Sequence, residues 1–285
     1  MNDSILEDIK KKVIEILSVS HEKVTPIRIK KELIKTFADK KVVEKALREL
    51  VLQGEIFYTY IYGISFIERS INKPVCVSNR VVLVPAGMHA ACDPGKATIS
   101  IIQGGSFGNG QHPTTRISLR GIDFVLQRKV FTEQELKRGA LDIGTGSGVL
   151  AIAAVKLGMK KAIGIDIDPI AGKEALENVG VNGLMDQIEI VDTAIDMISG
   201  RFALITANLR SPTLKQLVPH VVRMLISRGV FVVSGIREEE LSSIRNVYEK
   251  EGFYCIWEEN ETGWSGLVFE RSNCLMSHPA HGVGL

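Results

Sequence analysis

The sequence predicts an α/β protein: a mostly parallel sheet of seven strands flanked by helices, preceded by a small helical module. Three observations carry this. From residue 140 onward, short apolar runs alternate with helical patterns, as they do when parallel strands are joined by crossover helices. The first of these runs ends in three glycines at alternate positions, in Leu141-Asp142-Ile143-Gly144-Thr145-Gly146-Ser147-Gly148-Val149-Leu150. Before residue 74 the periodicity is different, with three helical patterns followed by two short strand-like runs.

Taken in order, Ile5, Ile9, Val13, Ile14 and Leu17 have helical spacing. Thr25-Pro26 supplies an N-cap and a proline at the first helical position, opening a second helix through Leu33. Asp39 caps a third, whose inner face is Val42, Val43, Ala46, Leu47, Leu50 and Val51, and Gly54 ends it. Residues 55–60 and 64–68 read as strands of a hairpin around Tyr62-Gly63. Three helices and a hairpin resemble a winged helix, so residues 1–73 form a winged-helix-like domain. Residues 28–48 carry eight basic side chains against the acidic Glu32, Asp39 and Glu44, a modest excess of the kind a solvated face carries.

Residues 71–74 mark the boundary. Residues 81–84 and 97–102 are apolar enough for strands, separated by the turn-prone Asp93-Pro94-Gly95. A loop rich in glycine and hydroxyl side chains, Phe107-Gly108-Asn109-Gly110-Gln111-His112-Pro113-Thr114-Thr115, precedes a helix predicted over 117–128. Strands follow at 140–143, 162–165, 188–191, 202–207 and 230–234. The pair 253–258 and 265–269, around Thr262-Gly263, fits an antiparallel hairpin at the sheet edge. The second domain thus spans residues 81–271, and residues 272–285 are a loose tail whose His278 and His281 are too few for a metal site.

Composition narrows the chemistry. Net charge is +2, with 45% hydrophobic and 24% charged residues, ordinary for a soluble protein with no bulk attraction to nucleic acid or an acidic membrane. The N-terminus shows no signal-peptide pattern, and no apolar run approaches a membrane span. Cys76, Cys92, Cys255 and Cys274 are scattered without metal-ligand or disulfide spacing, so a cytoplasmic protein without a metal is expected. Glycines after a strand let the backbone turn and expose N–H groups at a helix start. Asp166 ends the next apolar run, where a nucleoside-binding α/β fold places its ribose-hydroxyl acceptor. The dinucleotide pattern G-x-G-x-x-G would need glycine at Val149, and no phosphate-binding lysine follows. D-x-G-x-G-x-G instead suits S-adenosylmethionine, which has a carboxylate and a ribose but no pyrophosphate.

With these residues in view, residues 81–271 resemble the PrmA family of class I methyltransferases, which modify ribosomal large-subunit protein eleven. The resemblance rests on Phe107-Gly108-x-Gly110-x-His112-Pro113-Thr114-Thr115, Asp142-x-Gly144-x-Gly146-Ser147-Gly148, Gly164-Ile165-Asp166-Ile167-Asp168-Pro169 and Ala207-Asn208-Leu209. It implies a Rossmann-like class I methyltransferase domain with S-adenosylmethionine as cofactor, and cofactor contacts at Thr115, Gly144, Asp166 and Asn208. Thr145 and Gly146 belong to the same glycine turn, and Asp142 orients that turn rather than acting as a base. Asn208, after the fourth strand, is the catalytic candidate, its amide orienting the methionine part or an amine nucleophile. Arg210 stands where the family has an apolar residue, Asn109 and Gln111 stand where it usually has threonine, and residues 1–73 do not resemble the family's own N-terminal domain. The expected acceptor is therefore a protein amine or a small molecule other than the ribosomal protein. The N-terminal domain is expected to dimerise or to capture substrate. The alternative is a DNA-binding regulator that uses the second domain as a ligand sensor.

Overall fold

The computed structural model describes residues 2–20, 24–37, 39–61, 64–69, 74–88, 95–102, 104–108, 110 and 112–272. The chain opens with helices α1 (Asn2–Val19), α2 (Pro26–Phe37) and α3 (Lys40–Leu52), then strands β1 (Ile56–Ile61) and β2 (Ile64–Arg69), which pair antiparallel. The predicted caps form. The Thr25 hydroxyl accepts from the Arg28 N–H at 3.3 Å, and the Asp39 carboxylate accepts from the N–H groups of Lys41 and Val42. Ile9, Val13, Ile29, Leu33, Val43, Leu47, Ile56 and Ile67 close a separate small core. Two details differ from the sequence reading. Helix α2 continues beyond Leu33 to Phe37, because nothing in Ile34-Lys35-Thr36 breaks a helix. Val51 is exposed, since the buried stripe Val43, Ala46, Leu47 and Leu50 turns one side of α3 inward and Val51 falls beside it.

The connecting region is a small mixed sheet of β3 (Val75–Cys76), β4 (Val81–Pro85) and β5 (Ala97–Ile101), in which β4 and β5 run parallel and β3 opposes β4. Helix α4 (Pro113–Gln127) starts four residues before the predicted position. Proline at its first turn fixes a helical φ, and the His112 ring nitrogen caps it, so Thr114 and Thr115 lie inside the helix rather than in a loop. Helix α5 (Glu133–Arg138) opens on a capping box between Thr132 and Glu135.

The main domain alternates strand and helix: β6 (Ala140–Ile143), α6 (Val149–Lys156), β7 (Ala162–Asp166), α7 (Pro169–Val181), β8 (Ile188–Asp192), β9 (Phe202–Asn208), α8 (Ser211–Gln216), α9 (Val218–Met224), β10 (Leu225–Arg237), α10 (Leu241–Glu249), β11 (Phe253–Glu261) and β12 (Trp264–Arg271). The sheet order is β11-β12-β10-β9-β6-β7-β8, with β12 antiparallel to both neighbours and the pairs from β10 to β8 parallel. This is the seven-stranded, mostly parallel sheet expected, with the hairpin at its edge. Alternate residues feed two layers: Val230 and Val232 of β10 join the core with Leu119, Ile122 and Ile152, while Phe231 and Val233 join the opposite core with Leu214, Val221 and Tyr248. No helix among the described residues is long and apolar enough to cross a membrane. The tail residues 273–285, with His278 and His281, lie outside the described residues, as do Tyr62-Gly63, residues 71–73 and Asp93-Pro94.

Tyr248 shows how the second layer is fixed. Its ring packs against Phe231, Phe253 and Phe269, and its buried hydroxyl donates to the Leu214 carbonyl at 2.7 Å. Tyr248→Phe keeps the packing and orphans that carbonyl, so the urea-unfolding free energy should fall by about 1–2 kcal/mol. An unchanged stability would mean the hydrogen bond contributes nothing.

Candidate active site

Parallel strands leave their carboxyl ends together at one edge of the sheet, where β6, β7 and β9 of this chain border a cavity of about 470 Å³. Gly144, Gly146, Asp166, Asn208, Leu209 and the segment Gly105-Ser106-Phe107 line it, with Gly144 packed against Leu209 and Gly146 against Phe107.

The glycine turn is held from beneath by one carboxylate. Asp142, the third residue of β6, is buried; the Thr145 hydroxyl donates to its Oδ2 and the Thr206 hydroxyl of β9 to its Oδ1, both at 2.7 Å. Burial pushes its carboxyl up to about 6, against the lowering effect of these hydroxyls. Thr145 itself is buried by this contact. Above it, Gly144 and Gly146 have φ of +69° and +54°, in the left-handed region that favours glycine. A Cβ on Gly146 would stand 2.5 Å from the Phe107 carbonyl, which accepts from the Ser147 N–H at 2.9 Å. Close approach of two backbone segments therefore demands glycine at this position.

Asp166 ends β7 with both carboxylate oxygens engaged by backbone: Oδ2 accepts from Gly146 N–H at 2.9 Å and Oδ1 from Asp168 N–H at 3.1 Å. Each oxygen retains a lone pair, and the residue lines the cavity. Asn208 ends β9, and its Oδ1 is buried with no hydrogen-bond partner. A buried amide oxygen left unpaired is costly, and here it lies beside the cavity that its own residue lines. The segment Gly105-Ser106 is latched by α7: Glu174 accepts from the N–H groups of Gly105 and Ser106 at 2.9 and 2.8 Å. Burial acts to raise its carboxyl, but the Ser106 hydroxyl and these two N–H groups together hold it below the usual range. Asn178 accepts from Ile102 N–H and donates to the Ser147 carbonyl, tying the end of the small sheet to the glycine turn.

Beside the cavity lies an aromatic and cationic cluster. Phe107 meets the His112 ring at 5.1 Å, His112 meets Trp264 at 5.1 Å, and the guanidinium of Arg210 lies 5.0 Å over the Trp264 ring.

Of the residues singled out from sequence, Gly144, Gly146, Asp166 and Asn208 converge on the cavity. Asp142 and Thr145 sit behind the glycine turn. Thr115 does not line the cavity: it is fully buried in the first turn of α4, with its hydroxyl lacking a partner. Sequence reasoning missed Thr206, Glu174 and Asn178. The signal for the last two was available, as polar side chains at four-residue spacing, Glu174, Asn178 and Asn182, on one helix.

A glycine turn after the first strand of a sheet in this order, with its reversed penultimate strand, defines the Rossmann-like fold of class I methyltransferases. The sequence model of ribosomal protein L11 methyltransferase (PrmA) matches residues 68–272, and the chain belongs to that family. The ribosomal protein L11 methyltransferase of Pelobacter propionicus is 34% identical over 205 residues, 70% of this chain and 64% of the relative. That of Geobacter sulfurreducens is 33% identical over 196 residues, 69% of this chain and 62% of the relative. The crystal structure of ribosomal protein L11 methylase from Lactobacillus delbrueckii subsp. bulgaricus superposes with a TM-score of 0.61 at 29% identity, covering 70% of this chain and 98% of that one. The match spans less than two thirds of the length of these curated relatives. None of these similarities supports a DNA-binding regulator.

The raised carboxyl of Asp142 predicts a pH signature. A folded value near 6 against an ordinary 3.8 means the folded state binds the proton more tightly than the unfolded one. The stability this contributes is complete below about pH 4 and is lost as pH rises through 6. Asp142→Asn cannot titrate. The unfolding free energy of the native protein relative to this variant should therefore fall by up to about 3 kcal/mol between pH 4 and 7. A flat difference would show that Asp142 is not perturbed.

Proposed function

We propose that this chain is an S-adenosylmethionine-dependent methyltransferase whose cofactor occupies the cavity at the ends of β6, β7 and β9. The observation that carries this reading is the convergence of Gly144, Gly146, Asp166 and Asn208 on one space of about 470 Å³ at the ends of β6, β7 and β9. The donor set fits the cofactor: Asp166 offers acceptor lone pairs to ribose hydroxyls, and Gly144 and Gly146 bring backbone close without side chains. Asn208 takes an ammonium or amine hydrogen. Bound S-adenosylmethionine supplies an activated methyl group on a sulfonium, which a nucleophile takes by in-line displacement. The protein's own part is positioning and exclusion of water, which is worth up to about 7–11 kcal/mol when geometry is good. Asn208 orients the reacting groups, Asp142 and Thr145 hold the glycine turn, and Thr115 supports the start of α4.

The acceptor in this reading is an amine of a protein, in keeping with the relatives' names, and the enzyme works in the cytoplasm. Residues 1–73 are a winged-helix-like module that selects the acceptor or forms a homodimer contact. The antiparallel hairpin and the Val24–Ile67 bridge support the winged-helix reading, and the exposed Ile27, Leu52 and Tyr58 support a contact surface. This module lies almost wholly outside residues 68–272, and Arg210 adds a cation beside the cavity. Ribosomal protein L11 should accordingly be methylated poorly by the purified enzyme. Efficient multiple methylation of it, followed by mass spectrometry, would assign the relatives' substrate to this chain instead.

Calorimetry tests the cofactor. S-adenosylmethionine and S-adenosylhomocysteine should bind with micromolar affinity, and nicotinamide dinucleotides should not. Asp166→Ala should weaken binding by about 1.5–3 kcal/mol, because a charged acceptor is lost. Tight dinucleotide binding with no heat from S-adenosylmethionine would overturn the assignment.

A further inference from the structure

A second concavity, of about 450 Å³, lies at the opposite edge of the sheet, where β6, β7 and β9 begin at Ala140, Ala162 and Phe202. Four cations border it: Lys137 and Arg138 from the end of α5, Lys161 from the turn before β7, and Arg201 from the turn before β9. No carboxylate lines it among the described residues. The whole chain carries a net charge of only +2, so four positive charges around one hollow are an uneven placement rather than a reflection of composition.

Elsewhere on the surface, Lys12 pairs with Glu15, Lys30 with Glu44, Lys45 with Glu49, Lys160 with Glu133 and Arg245 with Glu258. Like Lys31, Lys35, Lys41, Lys173 and Lys215, these four form no ion pair among the described residues, and what distinguishes them is that they share one hollow. Glu133 is on the same helix as Lys137 and Arg138 but pairs with Lys160. Complementing the helix dipole explains cations in the last turn of α5, at Lys137 and Arg138. It does not explain Lys161 and Arg201, which reach the same hollow from two other turns. The repulsion is felt nearby: Arg271 lies below its ordinary range, first because of burial and then because of the Arg201 guanidinium. Unrelieved like charge around a concave surface is stabilised when an anion enters.

We infer that this hollow is a binding site for a phosphate-bearing ligand, with Lys137, Arg138, Lys161 and Arg201 as its phosphate contacts. The lining favours a nucleotide unit. Beside the cations, Ala140, Ala162, Ile163 and Phe202 also line the hollow, so its surface is partly apolar. Gln134 and Ser199 add hydrogen-bonding groups. The phosphate comes from an RNA strand or from a free nucleotide. Four to seven residues of strand separate this hollow from the first cavity, on the order of 13–23 Å at 3.3 Å per residue. Occupancy of one cavity therefore does not obstruct the other, and the inference stands without the methyl-transfer reading.

Binding of fluorescently labelled decauridylate RNA to the full chain at low salt, followed by anisotropy, and of pyrophosphate, followed by calorimetry, tests the inference. The charge-reversed pair Lys161→Glu and Arg201→Glu should weaken RNA binding at least ten-fold. Its log–log salt slope should fall by about 1.4, at roughly 0.7 per single-strand phosphate contact. The milder Lys161→Gln and Arg201→Gln pair should show an intermediate loss, and thermal unfolding should confirm that both pairs remain folded. Reversing Lys30 and Lys41 in the N-terminal module should leave RNA binding unchanged. Pyrophosphate binding without RNA binding, lost in the reversed pair, supports the site with a free nucleotide as its source. Binding of neither probe overturns the inference, as does binding that survives the Lys161 and Arg201 changes or is abolished only by the Lys30 and Lys41 changes.

Discussion

The contact on which the cavity depends is the buried carboxylate of Asp142. It accepts one hydroxyl from the glycine turn, through Thr145, and one from the neighbouring strand, through Thr206. Removing a carboxylate from water is unfavourable, which its raised pKa records, and the two short hydrogen bonds offset part of that cost. The return is positional. The turn after β6 and the end of β9 are fixed to one atom group, which brings Gly144, Gly146 and Asn208 to the same cavity. Asp166 then adds a bond to the Gly146 N–H, and Glu174 secures the segment Gly105-Ser106 that also lines it. Three strands and one helix thus meet around a hollow through the side chains of Asp142, Thr145, Thr206, Asp166 and Glu174, while the apolar layers on either face of the sheet make those strands rigid.

Much of this was legible because it is periodic or local. The strands from 140 onward show as apolar runs, since a parallel sheet covered on both faces needs nonpolar residues on both sides. Thr25 and Asp39 announce helix starts because the capping bond spans only two or three residues. Asp166 and the glycines stand out because a turn and a strand end constrain residue type. What escaped is non-local. Ser106 and Glu174 are 68 residues apart, and no local pattern states that they meet. Thr115 enters the site only through the family resemblance, and the structure sets it off the cavity lining. Pro113, which fixes the first turn, moves the threonine into the buried face of α4.

Charge illustrates the same distinction. The net value of +2 correctly describes the chain's weak overall field, but it averages over a surface on which four cations without ion pairs share a single hollow. The fold gathers Lys137, Arg138, Lys161 and Arg201 because the strand starts of a parallel sheet lie together, just as its strand ends do. The two edges of the sheet therefore differ in chemistry: an acidic and amide-lined cavity at one, a basic hollow at the other. Family membership covers the domain that contains both, while the N-terminal module lies almost entirely outside the matched residues.

The claim that Asn208, Asp166 and the glycine turn together hold the cofactor is tested most directly by a crystal structure grown with saturating S-adenosylhomocysteine. The account predicts density in the cavity of about 470 Å³, with ribose oxygens on the Asp166 carboxylate and the ligand in contact with the Asn208 side chain. Ligand density elsewhere on the chain, or a bound ligand that touches neither Asp166 nor Asn208, would contradict it.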